Sequence, residues 1–318
     1  MCYCNFHIFL MVFNMNPELI AKIAQISSIL EVSGYPKPGN VHRTRDFHDM
    51  VFEDFLISGV AIGDTIREAA THALEINNSI SFKEASLGKY ILQSVKETDK
   101  WIANNTNLGI IMLLTPIAMS AAISSNLDEL RENIHKIIVN STVIDTIALY
   151  EAIGIADAGG MGDQEEFSVG SEEATKELIE NNLNIFDVLD ISSSWDSLAM
   201  ELTNKMPVTF DIGYPMFLKL KKESSINSAT VITFLTILSQ VPDTLISRKY
   251  GDEKAKEVST LAMEVLDSLG SDTSDDMVEF NKKLKEFDDY LFENKLNPGT
   301  TADLTASSIM VSYLADYF

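Results

Sequence analysis

Apolar residues recur three and four positions apart along nearly the whole chain, and sustained alternation is almost absent. Leu19, Ile23, Ile26 and Leu30 make one such stripe; Ile134, Ile137, Ile138 and Ile144 belong to another. That period is the period of an α-helix, so each segment has one face to bury against other helices. The pattern predicts an all-α fold with helices over 17–32, 52–76, 82–104, 108–124, 127–139, 141–156, 172–181, 184–205, 210–221, 226–240, 252–269, 275–294 and 301–317. With 318 residues and 46% hydrophobic content, the chain can enclose a large core. No repeat or linker divides it, so 15–318 is expected to be a single large multi-helix globular domain. Residues 1–14 are apolar without the basic start and small-residue cleavage site of a signal peptide. Met15 immediately before Asn16-Pro17-Glu18, a good helix start, marks 1–14 as a doubtful N-terminal extension.

Charge narrows the partners. Lys and Arg number 24 against 47 Asp and Glu, a formal net charge of -23. Such a surface repels nucleic acid and anionic membranes, so neither is an expected partner. If the substrate is itself a polyanion, the chain must provide local basic groups or use a divalent cation such as Mg²⁺. The most hydrophobic run, Leu108 to Ile123, is shorter than the roughly 20 residues a membrane helix needs, and it contains Pro116; it reads as a central buried helix. Cys2 and Cys4 sit together near the start, which gives no disulfide framework and fits a reducing, cytoplasmic setting. With His7 they offer too few ligands for a zinc site.

Three loops carry the chemistry-bearing residues. Gly34 to Met50 (GYPKPGNVHRTRDFHDM) gathers Lys37, His42, Arg43, Arg45 and His48 in an acidic chain, with Pro36 and Pro38 stiffening the backbone and Gly39 permitting close approach. Such a concentration suits phosphate, although Asp46 and Asp49 stand ready to pair with the bases. Asp157 to Asp163 (DAGGMGD), followed by Glu165 and Glu166, combines free backbone N-H groups with carboxylates; an exposed acidic loop after a helix would look the same. Asn297 to Leu304 (NPGTTADL) puts Asp303 in the first turn of a helix, where it stabilises the helix dipole with or without a ligand. Arg248, following Asp243 and Thr244, is either a phosphate contact or an exposed helix-end arginine.

Taken together, the segments resemble the triphosphoribosyl-dephospho-CoA synthase family. Its YPKPGLVD-like segment corresponds to Tyr35 through His42, its H-x-DM-like segment to Phe47-His48-Asp49-Met50, and its NTHKG-like segment to Asn105-Thr106-Asn107-Leu108-Gly109. The PGGLG-like turn is similar to Ala158 through Gly162, and the SPGGSADL-like segment to Asn297 through Leu304. Two departures stand out: His42 replaces an Asp, and Asn107-Leu108 replaces a His-Lys pair.

The resemblance implies a transferase. The 2′-hydroxyl of 3′-dephospho-CoA attacks C1′ of the ATP ribose, adenine leaves, and the triphosphate stays on the transferred sugar, giving a prosthetic-group precursor. Displacement at an anomeric carbon passes through an oxocarbenium-like state and calls for carboxylates and proton-transfer groups. The expected catalytic residues are His48, Asp49 and Glu166. Lys37, Gly39, His42, Asn105, Thr106, Gly160, Gly162 and Arg248 are expected on the substrate and its phosphates. Asp49, Glu165 and Asp303 are expected to hold Mg²⁺, with ATP and dephospho-CoA, or a similar phosphorylated small molecule, as partners and a homodimer left open. Two rival readings are an Mg²⁺-dependent N-glycosidic hydrolase of nucleotides or ADP-ribose and a non-catalytic nucleotide-binding helical protein.

Overall fold

The computed structural model describes residues 15–47, 50–76, 82–102, 107–156, 172–270 and 274–318, and among them it is helical throughout, without a β-sheet. The first seven helices are α1 (Pro17–Ser33), α2 (Phe52–Ala61), α3 (Gly63–Ile76), α4 (Leu87–Asp99), α5 (Leu108–Ala122), α6 (Leu127–Val139) and α7 (Val143–Ala156). After them come α8 (Glu172–Asn181), α9 (Ile185–Ser192), α10 (Ser197–Thr203), a π-helical turn at Val208–Gly213, and α11 (Tyr214–Glu223). The chain ends with α12 (Ile226–Gln240), α13 (Thr244–Tyr250), α14 (Asp252–Asp267), α15 (Ser274–Glu293) and α16 (Gly299–Leu314).

Polar residues open these helices by satisfying backbone N-H groups that lack intrahelical partners. The side chain of Asn16 accepts from Glu18 N at 2.8 Å, Asn126 from Glu129 N at 2.9 Å and Ser225 from Ser228 N at 3.1 Å. Two helices form the centre. All of α5 except Gly109 is buried, and α16 packs against it, buried along almost its whole length. Among the described residues no single helix is long and apolar enough to cross a membrane; α5 is instead the middle of the protein.

α16 also makes the fold one unit. Leu304, Ala306, Met310, Val311 and Leu314 belong to the main apolar core, Ala302 to the core under α12, α14 and α15, and Ile309 to a small cluster with Phe217 and Ala229. Two of its buried hydroxyls bond within their own helix: Thr305 donates to Thr301 O at 2.7 Å and Ser308 to Leu304 O at 2.6 Å. Small residues that satisfy themselves let other helices approach from every side.

Several expected elements differ. The expected helix 52–76 breaks at Ile62 into α2 and α3, and 184–205 breaks where Asp196 caps a new helix, α10. Helix 82–104 proves to be a 3₁₀ turn at Phe82–Glu84 followed by α4. The first turn of 210–221 is π-helical, and α13 lies where no helix was expected. Ile26 and Ile144, read as stripe residues, are 44% and 74% exposed, whereas Ser27, Ser28 and Glu31 of α1 are buried.

Candidate functional site

The basic segment after α1 is folded inward. His42 and Arg45 exchange backbone hydrogen bonds (3.1 and 2.9 Å), closing a tight turn. Arg45 reaches Asp288 at 3.0 Å and Asp289 at 2.5 Å, both on α15, and lies over the ring of Phe292. The His42 ring is buried and meets the same Asp288 carboxylate at 3.2 Å. Arg43 donates to Ser33 O at 2.9 Å and to the side chain of Asn227 on α12 at 2.7 Å. The segment clasps the end of α1 to α12 and α15, and these side chains are engaged by the protein itself. Asp46, considered as a partner for these bases, accepts instead from Phe52 N at the start of α2 (2.8 Å).

Gly39 does permit a close approach, but of the chain to itself. Its φ is +70°, and a Cβ there would lie 2.5 Å from Leu296 O and 2.6 Å from Leu291 Cβ. Its N-H donates to Asp288 at 3.0 Å.

Lys37 is the deepest of the group, with no exposed surface. Its ammonium is ion-paired with Glu31 and also donates to Glu31 O at 3.2 Å. Burial pushes the lysine down and the glutamate up from their ordinary values, while each draws the other back toward its charged form.

Beside this pair the ends of several helices converge. Asp243 caps α13, accepting from Leu245 N (2.9 Å) and Ile246 N (3.2 Å), and its second oxygen accepts from Thr301 N (2.7 Å) and Thr301 Oγ1 (2.8 Å) at the start of α16. One buried carboxylate therefore ties two helix N-termini together. Asp196 caps α10 through Leu198 N (2.8 Å) and Ala199 N (3.1 Å) and pairs with Arg248 at 3.1 Å. Thr244 Oγ1 joins the starts of α10 and α16, accepting from Ser197 N at 3.4 Å and donating to Thr300 Oγ1 at 3.2 Å.

Asp303, one turn into α16, faces this junction. Burial first, then Glu31, Asp243 and Asp196, push its carboxyl well above the usual carboxylate range, and Lys37 pulls it down. No hydrogen bond or ion pair joins it to another described residue. Gly109, in the first turn of α5, lies directly against it: a Cβ there would be 2.1 Å from Asp303 Oδ2. Three sequence landmarks, represented by Lys37, Gly109 and Asp303, thus meet in one place, with Arg248 at its edge through Asp196.

The other expected site residues, His48, Asp49, Asn105, Thr106, Gly160, Gly162, Glu165 and Glu166, lie outside the described residues. Among the described residues no three His, Cys, Asp or Glu side chains are grouped to hold a metal ion. Glu31 and Asp196 were not named from sequence, and Asp243 and Gly109 were named only beside Arg248 and within a landmark segment, without a role. Asp243 and Asp196 each precede a short helix with a cap signal, which was legible; Glu31 sits in an ordinary amphipathic pattern and gives no local sign.

This junction sets a carboxyl with no donor among the described residues beside a buried ion pair. Comparison with known proteins bears on its chemistry. A family model described as ATP:dephospho-CoA triphosphoribosyl transferase matches residues 17–318. A protein of Malonomonas rubra named "Probable 2-(5''-triphosphoribosyl)-3'-dephosphocoenzyme-A synthase" is 28% identical over 189 residues, which cover 53% of this chain and 58% of the relative's length. A crystal structure from Archaeoglobus fulgidus, of a protein assigned as a triphosphoribosyl-dephospho-CoA synthase, superposes with a TM-score of 0.63 over 83% of this chain and 100% of its own, at 21% identity. That likeness shows a common fold.

Proposed function

The chain belongs to the ATP:dephospho-CoA triphosphoribosyl transferase family, and on that premise we propose that it transfers the 5-triphosphoribosyl group of ATP to the 2′-hydroxyl of 3′-dephospho-CoA with release of adenine. The observation that carries this reading is the meeting of Lys37, Gly109 and Asp303, which come from three separate landmarks of the family resemblance.

Chemically, the C1′–N9 bond of ATP breaks with its electron pair going to adenine, and C1′ becomes oxocarbenium-like before the acceptor oxygen bonds to it. Asp303, a carboxyl with no competing donor among the described residues, suits the neighbourhood of that carbon. Arg248, held at the rim by Asp196, is a fitting contact for the phosphates. Mg²⁺ enters this reading bound to the triphosphate and offsetting its charge in an acidic protein; Asp49 and Glu165, two of its three expected ligands, lie outside the described residues. His48, Asp49 and Glu166 in catalysis, Asn105, Thr106, Gly160 and Gly162 on substrate, and Glu165 beside the cation complete the proposal on the strength of the resemblance. A cytoplasmic setting, where ATP is abundant and thiols stay reduced, fits the same reading.

The test is incubation with ATP, Mg²⁺ and 3′-dephospho-CoA, followed by mass detection. Free adenine and the coupled triphosphoribosyl product in equal amounts are expected. Adenine without the coupled product would replace the transferase by an N-glycosidic hydrolase, and nucleotide binding with neither product would leave a binding protein.

A further inference from the structure

Four carboxyl groups and two cations share the junction between α1, α10, α13 and α16, and nearly every partner is already assigned. Asp243 takes three backbone N-H groups and the Thr301 hydroxyl. Asp196 takes two backbone N-H groups and Arg248. Glu31 takes Lys37. Among the described residues Asp303 is the carboxyl left without a donor, and Gly109 brings the backbone of α5 against it without a side chain in between.

Lys37 was expected on phosphate because of its place in a basic, proline-rich loop. Its position argues otherwise: the ammonium is enclosed, bonded to both the carboxylate and the backbone oxygen of Glu31, and fixed by a loop whose glycine packs on Leu291 and Leu296. A phosphate contact would require it to leave a buried carboxylate unpaired, which is among the most unfavourable changes a protein interior can undergo.

We propose that Asp303 is the carboxyl presented to C1′ of the nucleotide ribose, and that Lys37 is a positioning residue which neutralises Glu31 and directs its field toward Asp303 without touching the triphosphate. The assignment rests on the transferase reading and deepens it. During transfer, adenine leaves with the C1′–N9 electron pair and gains one proton, while the acceptor hydroxyl bonds to C1′ and releases one. Asp303 stands against the positive charge that passes through C1′ and forms no bond itself.

The experiment compares the full-length protein with two variants, Asp303→Asn and the double variant Glu31→Gln/Lys37→Met, which removes both members of the buried pair so that no bare charge remains. Thermal melting checks folding, calorimetry with MgATP gives Kd, and adenine release gives kcat. Asp303→Asn is expected to lower kcat about 100-fold or more, the scale of losing one preorganised electrostatic contact. The double variant is expected to lower kcat at least about tenfold, and both should keep Kd for MgATP within about threefold of wild type. A tenfold weaker Kd in the double variant would overturn the assignment by making Lys37 a phosphate contact. An unchanged kcat in a folded variant would overturn the role given to the residues it alters. Should the double variant fail to fold, Asp303→Asn still decides, because its carboxyl makes no hydrogen bond to the described part of the fold. Absence of adenine release from wild type overturns the transferase reading itself; an active wild type with equally active variants overturns only the assignment of Asp303 and Lys37.

Discussion

Glu201 gives the protein a pH-dependent stability whose size follows from its surroundings. It lies on α10, fully buried, and accepts from Val208 N at 2.9 Å and Thr209 N at 2.6 Å, where the π-helical turn begins. Burial pushes its carboxyl up from 4.5 to about 7; the two N-H groups, the Thr209 hydroxyl and Arg131 pull it down without prevailing. Arg131 itself is occupied by Asp211, with both contacts at 2.7 Å. The folded state therefore binds this proton more tightly than the unfolded chain does. Its contribution is complete below about pH 4.5, declines as pH rises through 7, and is gone above that. At 1.36 kcal/mol per pKa unit, a carboxyl that titrates near 4.5 unfolded and near 7 folded removes about 2.5 kcal/mol between pH 5 and pH 8. Glu201→Gln does not titrate and abolishes that slope, while leaving one of the two N-H groups without its acceptor. Losing one acceptor oxygen costs the variant about 1 to 2 kcal/mol at every pH, so its stability relative to wild type should rise by about 2.5 kcal/mol from pH 5 to pH 8, roughly 4 °C in Tm for a chain of this size. Urea unfolding of both proteins at pH 5, 6, 7 and 8 measures the difference directly. A difference that stays constant across the series, or a variant that loses ground as pH rises, refutes the reasoning.

Substitutions at two further positions probe the scaffold under the site. Asp243→Ala removes the acceptor shared by α13 and α16 and should cost about 3 kcal/mol, whereas Asp243→Asn keeps one acceptor oxygen, serves one helix end and should cost about 1 to 2 kcal/mol; urea midpoints rank them, and equal losses would refute the shared-cap account. Gly39→Ala meets both a positive φ and a backbone oxygen 2.5 Å from the new Cβ, so a loss of about 2 to 4 kcal/mol in chemical unfolding is expected, and a near-neutral substitution would show that the loop yields easily.

The helices that the sequence located best announce themselves locally. The expected bounds 127–139 and 226–240 coincide with α6 and α12, each opened by a side-chain cap and carried by a repeating apolar face. α13 escaped notice because its seven residues are too few to show a period; a shared carboxylate and its neighbours hold it in place. The break at Ile62 has no proline, and its local signs are Gly63 and the acidic Asp64 in the first turn of α3. It coincides with a contact made in space, since a Cβ on Gly63 would fall 2.2 Å from Gln25 Nε2 on α1. The basic loop was recognisable as unusual, but the partners that turn it into a clasp stand far along the chain: His42 and Asp288 are 246 positions apart. Spacing cannot show that a cation is already satisfied.

α1 carries the same lesson further. Its apolar repeat led through Ile26, yet the helix is turned so that Ile26 meets solvent while Ser27, Ser28 and Glu31 face inward. That orientation is costly by the hydrophobic rule alone, since a large aliphatic side chain stays wet and a carboxylate is buried. It becomes reasonable where the inward face meets Lys37, which neutralises Glu31, and Gly59 of α2, which packs directly on Ser28 and Ile29. Departures from the simplest pattern concentrate where a chain gives up some stability to keep charged groups together. Here they lead along α1 to Glu31 and, through Lys37, to the carboxyl of Asp303.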